Sequence, residues 1–132
     1  MDFNYGSIIA DANNELLLYY TQENDYTGEW LSITYSQKNR QFIIYKDWFG
    51  SCSYCDALES SFDYSKEISI EEKKEFAKEY KPFCVIPEEV MRLIILSGDI
   101  ISCLIPVNLK CECNVEEIIS KIVEVLKQEN KQ

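Results

Sequence analysis

Two runs rich in β-branched and aromatic residues, WLSITYS and QFIIYKDWF, lie close together in the chain and are separated by the polar residues QKNR. In the first run, Leu31, Ile33 and Tyr35 alternate with polar residues, which is the period of a strand. A short polar link between two such runs is typical of a β-hairpin, and Asn39 is the link residue best suited to a left-handed turn conformation. The chain is therefore predicted to contain an antiparallel pair of strands, which limits it to folds built on a sheet.

The clearest predicted helix is at the C-terminus. Asn114 and Glu117 have the spacing of a capping pair at its start. The apolar residues that follow share a single helical face: Val115, Ile118, Ile119, Ile122 and Leu126. An amphipathic helix that packs on the rest of the domain is the expected structure.

The segments on either side of the hairpin carry further signals. The spacing of apolar residues predicts a helix from Ser7 to about Tyr20, with two short strands as the alternative because of the asparagines at 13 and 14. The segment CDALESSF predicts a helical turn or two. Ser69, with a glutamate three residues later, predicts the start of another helix.

Three elements are expected between residues 81 and 107. The segment KPFCVIP predicts a short buried strand. Pro87 suits the first position of a helix through Leu96, and Gly98 suits its end. The isoleucine-rich segment DIISCLIPV favours a strand. The predicted fold class is α+β: a β-hairpin followed by helices, short buried strands and a C-terminal amphipathic helix, in one domain over residues 1–127 with a frayed tail at 128–132.

Composition and charge exclude several classes of function. The chain has 132 residues, of which 46% are hydrophobic, enough for one domain with a real core. It carries 23 acids against 13 bases, a net charge of −10, and no free basic cluster, so direct binding of nucleic acid is not expected. Histidine is absent, which removes the commonest general base and metal ligand. A non-catalytic protein without a cofactor is therefore expected.

The most apolar window, VMRLIILSGDIISCLIPV, is interrupted by Arg92, Gly98 and Asp99, so it is predicted to be core and not a membrane span. No signal peptide is evident at the N-terminus. These features predict a cytoplasmic protein whose cysteines are mostly reduced.

The cysteines leave three interpretations open. Cys52 and Cys55 have a C-x-x-C spacing and could bind zinc together with Cys111 and Cys113. A C-x-x-C pair after a strand and before a helix is also the arrangement of thiol-redox proteins. In the third interpretation the two thiols only shape a tight turn, while Cys84 and Cys103, among aliphatic residues, are core.

The run FGSCSYCDALE, together with the upstream NDYTGEW, resembles a motif of small uncharacterised proteins of bacteria and their phages. The resemblance covers about residues 24 to 60 and implies no established activity. It implies that the motif residues act as one unit: Gly50, Ser51, Cys52, Ser53, Cys55, Asp56 and Glu59.

The expected function is that of a small acidic accessory protein, of phage or mobile-element type, that inhibits a host factor through protein–protein contacts in the cytoplasm of the host cell. A basic nucleic-acid-binding protein is a suitable partner for its charge. The alternative is a protein that sequesters a small, nucleotide-like ligand in an aromatic-lined pocket, and a homodimer is left open. The predicted binding residues are Tyr26, Trp30, Arg40, Tyr45, Trp48, Tyr54, Glu59 and Asp63.

Overall fold

The computed structural model describes residues 4–24, 27–50, 67–106 and 108–129 of the chain. Within these residues four strands form one antiparallel sheet in sequence order: β1 Leu16–Gln22, β2 Gly28–Ser36, β3 Gln41–Phe49 and β4 Cys84–Pro87. Five helices accompany it: α1 Tyr5–Asn13, α2 Ile70–Ala77, α3 Glu88–Ser97, α4 Ile100–Leu104 and α5 Val115–Glu129. The fold is α+β, as the sequence predicts. No helix in the described residues is both long enough and apolar enough to cross a membrane.

The predicted hairpin is present as β2 and β3, paired without a break from Gly28 opposite Phe49 to Ser36 opposite Gln41. The prediction for Asn39 is wrong by one position, because the left-handed residue of the turn is Arg40, with φ of 54°. Tertiary contacts hold Arg40 in this conformation: its carbonyl oxygen accepts a hydrogen bond from the backbone N–H of Glu88 at 3.0 Å. The contact with α3 therefore places the left-handed conformation at Arg40, although asparagine has the stronger local preference for it.

The predicted helix over residues 7–20 is right only as far as Asn13. Asn14 adopts a left-handed conformation with φ of 56° and ends α1, and the chain then enters the edge strand β1 at Leu16. A Cβ on Gly6 would lie 2.7 Å from a ring carbon of Tyr20 and 3.0 Å from the Cβ of Ser32. The absence of a side chain at Gly6 therefore lets α1 lie close against β1 and β2.

The predicted helix is confirmed as α3. The predicted strand is present as β4 at the edge of the sheet, but the expectation that it is buried is wrong, since only Ile86 of its four residues is buried. Pro87 is the N-cap residue of α3, one place before the predicted position, and Gly98, with φ of 75°, ends the helix. Ser69 caps α2, accepting a hydrogen bond from the N–H of Glu72 at 3.2 Å, as predicted. The segment CDALESSF lies outside the described residues.

The strand predicted for DIISCLIPV is wrong, because the segment contains the helix α4. Ile100 and Leu104, four residues apart, are both buried against the main core at 2% and 1% exposure. In a strand, Ser102 would share a face with Ile100 and Leu104 and would be buried with them, but it is exposed. Burial of Ile100 and Leu104 without Ser102 is therefore the pattern of a helix.

Helices cover both faces of the sheet. On one face, α3, α4 and α5 pack on the inward side chains of the hairpin, which include Leu31, Ile33 and Ile44. On the other face, α1 and α2 pack on a smaller cluster around Trp30. The central strands are therefore buried on both sides, which explains why eight of the nine residues of β2 are buried.

The C-terminal helix α5 is confirmed, and the N–H of Glu117 donates to Asn114 Oδ1 at 3.1 Å, as the capping pair predicts. Its predicted face points inward, since Ile118 and Ile122 are at most 1% exposed and Leu126 is also buried. The helix extends to Glu129, two residues beyond the predicted domain boundary.

Candidate functional site

The structure separates the predicted binding residues. Trp30 and Tyr45 are buried in the cluster under α1 and α2, at 0% and 3% exposure, whereas Trp48 is 57% exposed near the end of β3. Arg40 lies at the opposite end of the hairpin, where it pairs with Glu88. The other four predicted residues lie outside the described residues: Tyr26, Tyr54, Glu59 and Asp63.

The aromatic side chains in the described residues pack mainly on each other. The Trp30 ring stacks on Tyr5, with ring centres 5.1 Å apart and planes inclined by 14°, and Tyr80 lies at 5.7 Å from Trp30. Phe76 completes the group at 5.9 Å from Tyr5. Such offset and tilted contacts contribute to packing beyond simple area burial. These rings therefore form the core between the sheet and the helices α1 and α2.

A buried carboxylate joins three parts of the fold. Glu88 is 5% exposed, and its carboxylate accepts hydrogen bonds from Arg40 Nε at 2.8 Å and from an Arg92 terminal nitrogen at 2.7 Å. The same Arg92 nitrogen donates to the carbonyl oxygen of Leu126 in α5 at 3.1 Å. The hydrogen bond from Arg40, followed by that from Arg92, lowers the pKa of Glu88 despite the opposite effect of burial. This cluster therefore ties the hairpin turn to α3 and α5.

The predicted metal ligands are only partly within the structure. Cys52 and Cys55 lie outside the described residues, and among the residues described no cluster of three or more potential metal ligands is present. Cys111 is buried and its thiol donates to the carbonyl oxygen of Glu29 at 2.9 Å. Burial, with smaller effects from Cys113 and Glu29, raises the pKa of Cys111 to about 11, and burial also raises the pKa of Cys113.

We expect the described thiols to differ in reactivity. At neutral pH only about one Cys111 thiol in ten thousand is ionised at this pKa, and the thiolate is the species that attacks an alkylating reagent. Cys103 is exposed. Iodoacetamide should therefore modify Cys103 well before Cys111 in the native protein, as peptide mass spectrometry at successive times would show. Equal modification of the two before unfolding would contradict this assignment.

The described surface also carries an apolar area that the sequence predictions did not include. Val90, Leu93 and Leu96 follow each other at intervals of three along α3 and are 44%, 66% and 83% exposed. The helix ends at Gly98, and after this short link Ile101 in α4 is 61% exposed. We call these four residues the α3–α4 apolar surface. Residues at a spacing of three are neighbours on a helix, so the exposed side chains of α3 adjoin one another.

One feature of the sequence could have indicated this surface. Six of the ten residues of α3 are apolar: Val90, Met91, Leu93, Ile94, Ile95 and Leu96. A helix that buries one face needs about three apolar residues in seven. Met91 is fully buried and Ile94 packs against the main core, so the inward face is already occupied. The excess apolar residues must therefore face away from the core.

The charges beside this surface are mainly negative. Residues 88–104 contain three acids, Glu88, Glu89 and Asp99, and one base, Arg92. Arg92 is paired with Glu88, while Glu89 and Asp99 form no ion pair within the described part of the chain. The α3–α4 apolar surface is thus accompanied by two carboxylates that no Lys or Arg of these residues neutralises.

A comparison of the chain with protein-family models, curated proteins and solved structures finds no match.

Proposed function

We propose that this protein is a binding protein whose α3–α4 apolar surface contacts another protein. The partner presents an apolar helix face or loop bordered by Lys or Arg. The observation that carries the proposal is the exposure of Leu93 and Leu96, at 66% and 83%, next to each other on one helix.

The free energy of apolar burial supports an interface at this position. A single exposed leucine is ordinary on a protein surface, but clustered aliphatic side chains on one surface are typical of interaction sites. Burying a leucine side chain contributes about 1.5–3 kcal/mol relative to leaving it in water. Burying Leu93 and Leu96 against a partner would therefore contribute several kcal/mol of binding free energy.

Charge favours a different protein over a second copy of this chain. Two copies would each bring a net charge of −10, and the carboxylates of Glu89 and Asp99 would be brought together. Lys or Arg at the border of a partner would instead meet these carboxylates, since complementary charge speeds association and disfavours wrong partners. The expectation that the partner is a host factor, inhibited by this contact, remains a prediction.

Synthetic peptides provide a direct test. Three helix-forming peptides would share the same row of leucines. They would differ only in the residues beside this row, which are Lys in the first peptide, Gln in the second and Glu in the third. We expect the Lys-bordered peptide to bind the protein more tightly than the other two by fluorescence anisotropy, and its advantage to shrink as salt is added. Equal binding of all three, or no binding of any, would refute the proposed partner chemistry.

Two variants locate the contact. Replacing both Leu93 and Leu96 with serine should weaken binding of the Lys-bordered peptide by about 30-fold or more, the effect of losing one interface hot spot. The matched control is Ile70→Ser, which alters an aliphatic residue of α2 that is 42% exposed and should leave binding unchanged. All three side chains are exposed, so each replacement should change the free energy of unfolding by only about 0.5 kcal/mol.

Sedimentation velocity of the protein alone tests whether a second copy of the chain covers the α3–α4 apolar surface. A monomer is expected at all concentrations used in the binding assay. A dimer that dissociates in the Leu93→Ser, Leu96→Ser protein would show that a second copy covers the surface, and the proposal of a basic partner would be wrong.

A further inference from the structure

A groove of about 350 Å³ runs along the edge of the sheet beside β1, and residues 17–20 of this strand line it. The other lining residues come from helices on opposite faces of the sheet. Asn4 caps the start of α1, whereas Glu117 and Lys121 belong to α5. Helices on opposite faces can border one groove only where the sheet ends, and β1 is the outermost strand of the described sheet. The groove therefore follows the free edge of β1.

The side chains of β1 point to both faces and leave its backbone at the edge. Tyr19 lies on the α5 face, where its Oη accepts a hydrogen bond from the backbone N–H of Asn114 at 2.8 Å. Leu17 and Tyr20 lie on the α1 face, since a Cβ on Gly6 of α1 would be 3.2 Å and 2.7 Å from their side chains. Between these faces the groove is open to the backbone of the strand.

The backbone groups at this edge follow from the alternation of an antiparallel pair. The N–H of Glu23 donates to the carbonyl oxygen of Glu29 at 2.8 Å, so the next residue, Gln22, directs its N–H and C=O away from β2. Counted along β2 from Glu29, Thr34 is directed towards β3, and its partner Leu17 is therefore also directed away from β2. No further strand of the described residues meets these groups.

Sheet edges are usually protected from other chains by short strands, Pro, charged residues or bulges. The opposite edge strand, β4, has only four residues, and one of them is Pro87. In contrast, β1 has seven residues, and its sequence LLLYYTQ contains neither proline nor a charged residue. Its only such protection is an irregularity in register between Leu17 and Tyr19. An additional strand is therefore expected at β1.

We propose that the free edge of β1 binds an extended segment of another protein, which joins the sheet as an additional strand. An extended chain presents N–H and C=O groups at the spacing of β1, and main-chain hydrogen bonds of this kind give affinity in peptide recognition. A second copy of the protein would bring its own α1 and α5 against the helices that border the groove, together with a net charge of −10.

The residues of α5 indicate the side chains of this segment. Glu117 and Lys121 are exposed and form no ion pair within the described part of the chain. Four residues of helix span about 6 Å, and two residues of a strand, which share one face, span about 6.7 Å. A basic and an acidic residue two positions apart would thus match both charges. The aliphatic residues that alternate with them would face Leu17 and Tyr20.

A seven-residue capped peptide tests this proposal on the full chain. It carries valine at positions 2, 4 and 6, lysine at 3, glutamate at 5 and threonine at both ends, and a second peptide has lysine and glutamate exchanged. Binding of at least one is expected by fluorescence anisotropy below about 1 mM. An added strand presents only alternate N–H groups to β1, so N-methylation of either the valines or the other residues, but not of both sets, should abolish binding. Loss with both sets, loss with neither, or no binding of either peptide would overturn the proposal.

Amide hydrogen exchange shows whether the peptide occupies the edge. The N–H groups of Leu17 and Gln22 should exchange at least about 10-fold more slowly in the complex, while that of Thr21, which points to β2, should change less. Slower exchange at Leu17 and Gln22 in the protein alone at high concentration would assign the edge to a second copy and contradict the proposal.

Exchanging the two charges of α5 tests the side-chain chemistry. The wild type should prefer one peptide by about 3- to 10-fold at low salt, and the double variant Glu117→Lys, Lys121→Glu should prefer the other. Both positions are exposed, so the fold should be retained. The matched control is Glu124→Lys, an exposed α5 residue that does not line the groove and should keep the wild-type preference. An unchanged preference in the double variant would refute the assigned partner chemistry.

Discussion

Replacing Trp30 with alanine is expected to lower the free energy of unfolding by about 3–5 kcal/mol. The side chain is fully buried between the sheet and the helices α1 and α2, in ring contact with Tyr5, Tyr20 and Tyr80. Alanine would remove these contacts and leave a cavity that the surrounding rings fill only in part. Urea denaturation followed by circular dichroism measures the change, which is a large share of the 5–15 kcal/mol that stabilises a typical domain.

The replacement Trp30→Phe separates packing from hydrogen bonding. The indole Nε1 is buried and has no hydrogen-bond partner within the described residues, so phenylalanine loses no hydrogen bond there and keeps much of the aromatic contact. Its cost should be less than half that of Trp30→Ala. A similar cost for the two variants would show that the N–H group, and not the ring, is what Trp30 contributes.

The second large effect is expected for Glu88→Gln. This change removes the negative charge from between Arg40 and Arg92 and leaves the partly buried Arg92 without a counter-ion. Breaking a buried pair from one side costs about 3–5 kcal/mol. Since the Arg40 side chain is 57% exposed and can turn to water, we expect about 3 kcal/mol, at the lower end of this range.

The effect of Glu88 should depend on pH. Its pKa is lower in the folded protein than the usual 4.5, so its stabilisation is fully present above pH 4.5 and is lost as the pH falls through the folded-state pKa. The difference in unfolding free energy between wild type and Glu88→Gln should therefore be constant near neutral pH and shrink below pH 4.5. Glu89→Gln, one residue along and exposed, is the matched control and should change stability by about 0.5 kcal/mol or less. A constant difference down to pH 3 would contradict this assignment.

Local signals in the sequence were sufficient to predict several elements of the fold. The hairpin, the start of α2 at Ser69 and the inward face of α5 depend on residue alternation, capping and helical periodicity, which the structure retains. The predictions are wrong where tertiary contacts determine the backbone conformation. Arg40 takes the left-handed turn position because it is bonded to Glu88, and α4 is helical because this buries Ile100 and Leu104 while Ser102 stays exposed.

Side-chain environments were harder to predict, because they depend on how the helices pack on the sheet. The Glu15 carboxylate, for example, is oriented by Thr34 in β2 and Tyr45 in β3. Nothing in the sequence around Glu15 indicates these neighbours. The aromatic residues were proposed as a binding set, and the packing of α1 and α2 on the sheet places Trp30 and Tyr45 in the core instead of at the surface. The α3–α4 apolar surface had a local signal, the excess of apolar residues in α3. Its exposure, however, depends on which face of α3 packs against the core.

Methyl-labelled NMR of the protein during titration with the Lys-bordered peptide would show which side chains form the contact. We expect the methyl signals of Leu93, Leu96 and Ile101 to shift together and to saturate with a single dissociation constant. The signals of Ile70 on α2 and of Ile8 in the opposite core should stay in place. Saturable shifts at Ile70 or elsewhere, with Leu93 and Leu96 unchanged, would show that the protein makes its contacts through a different surface.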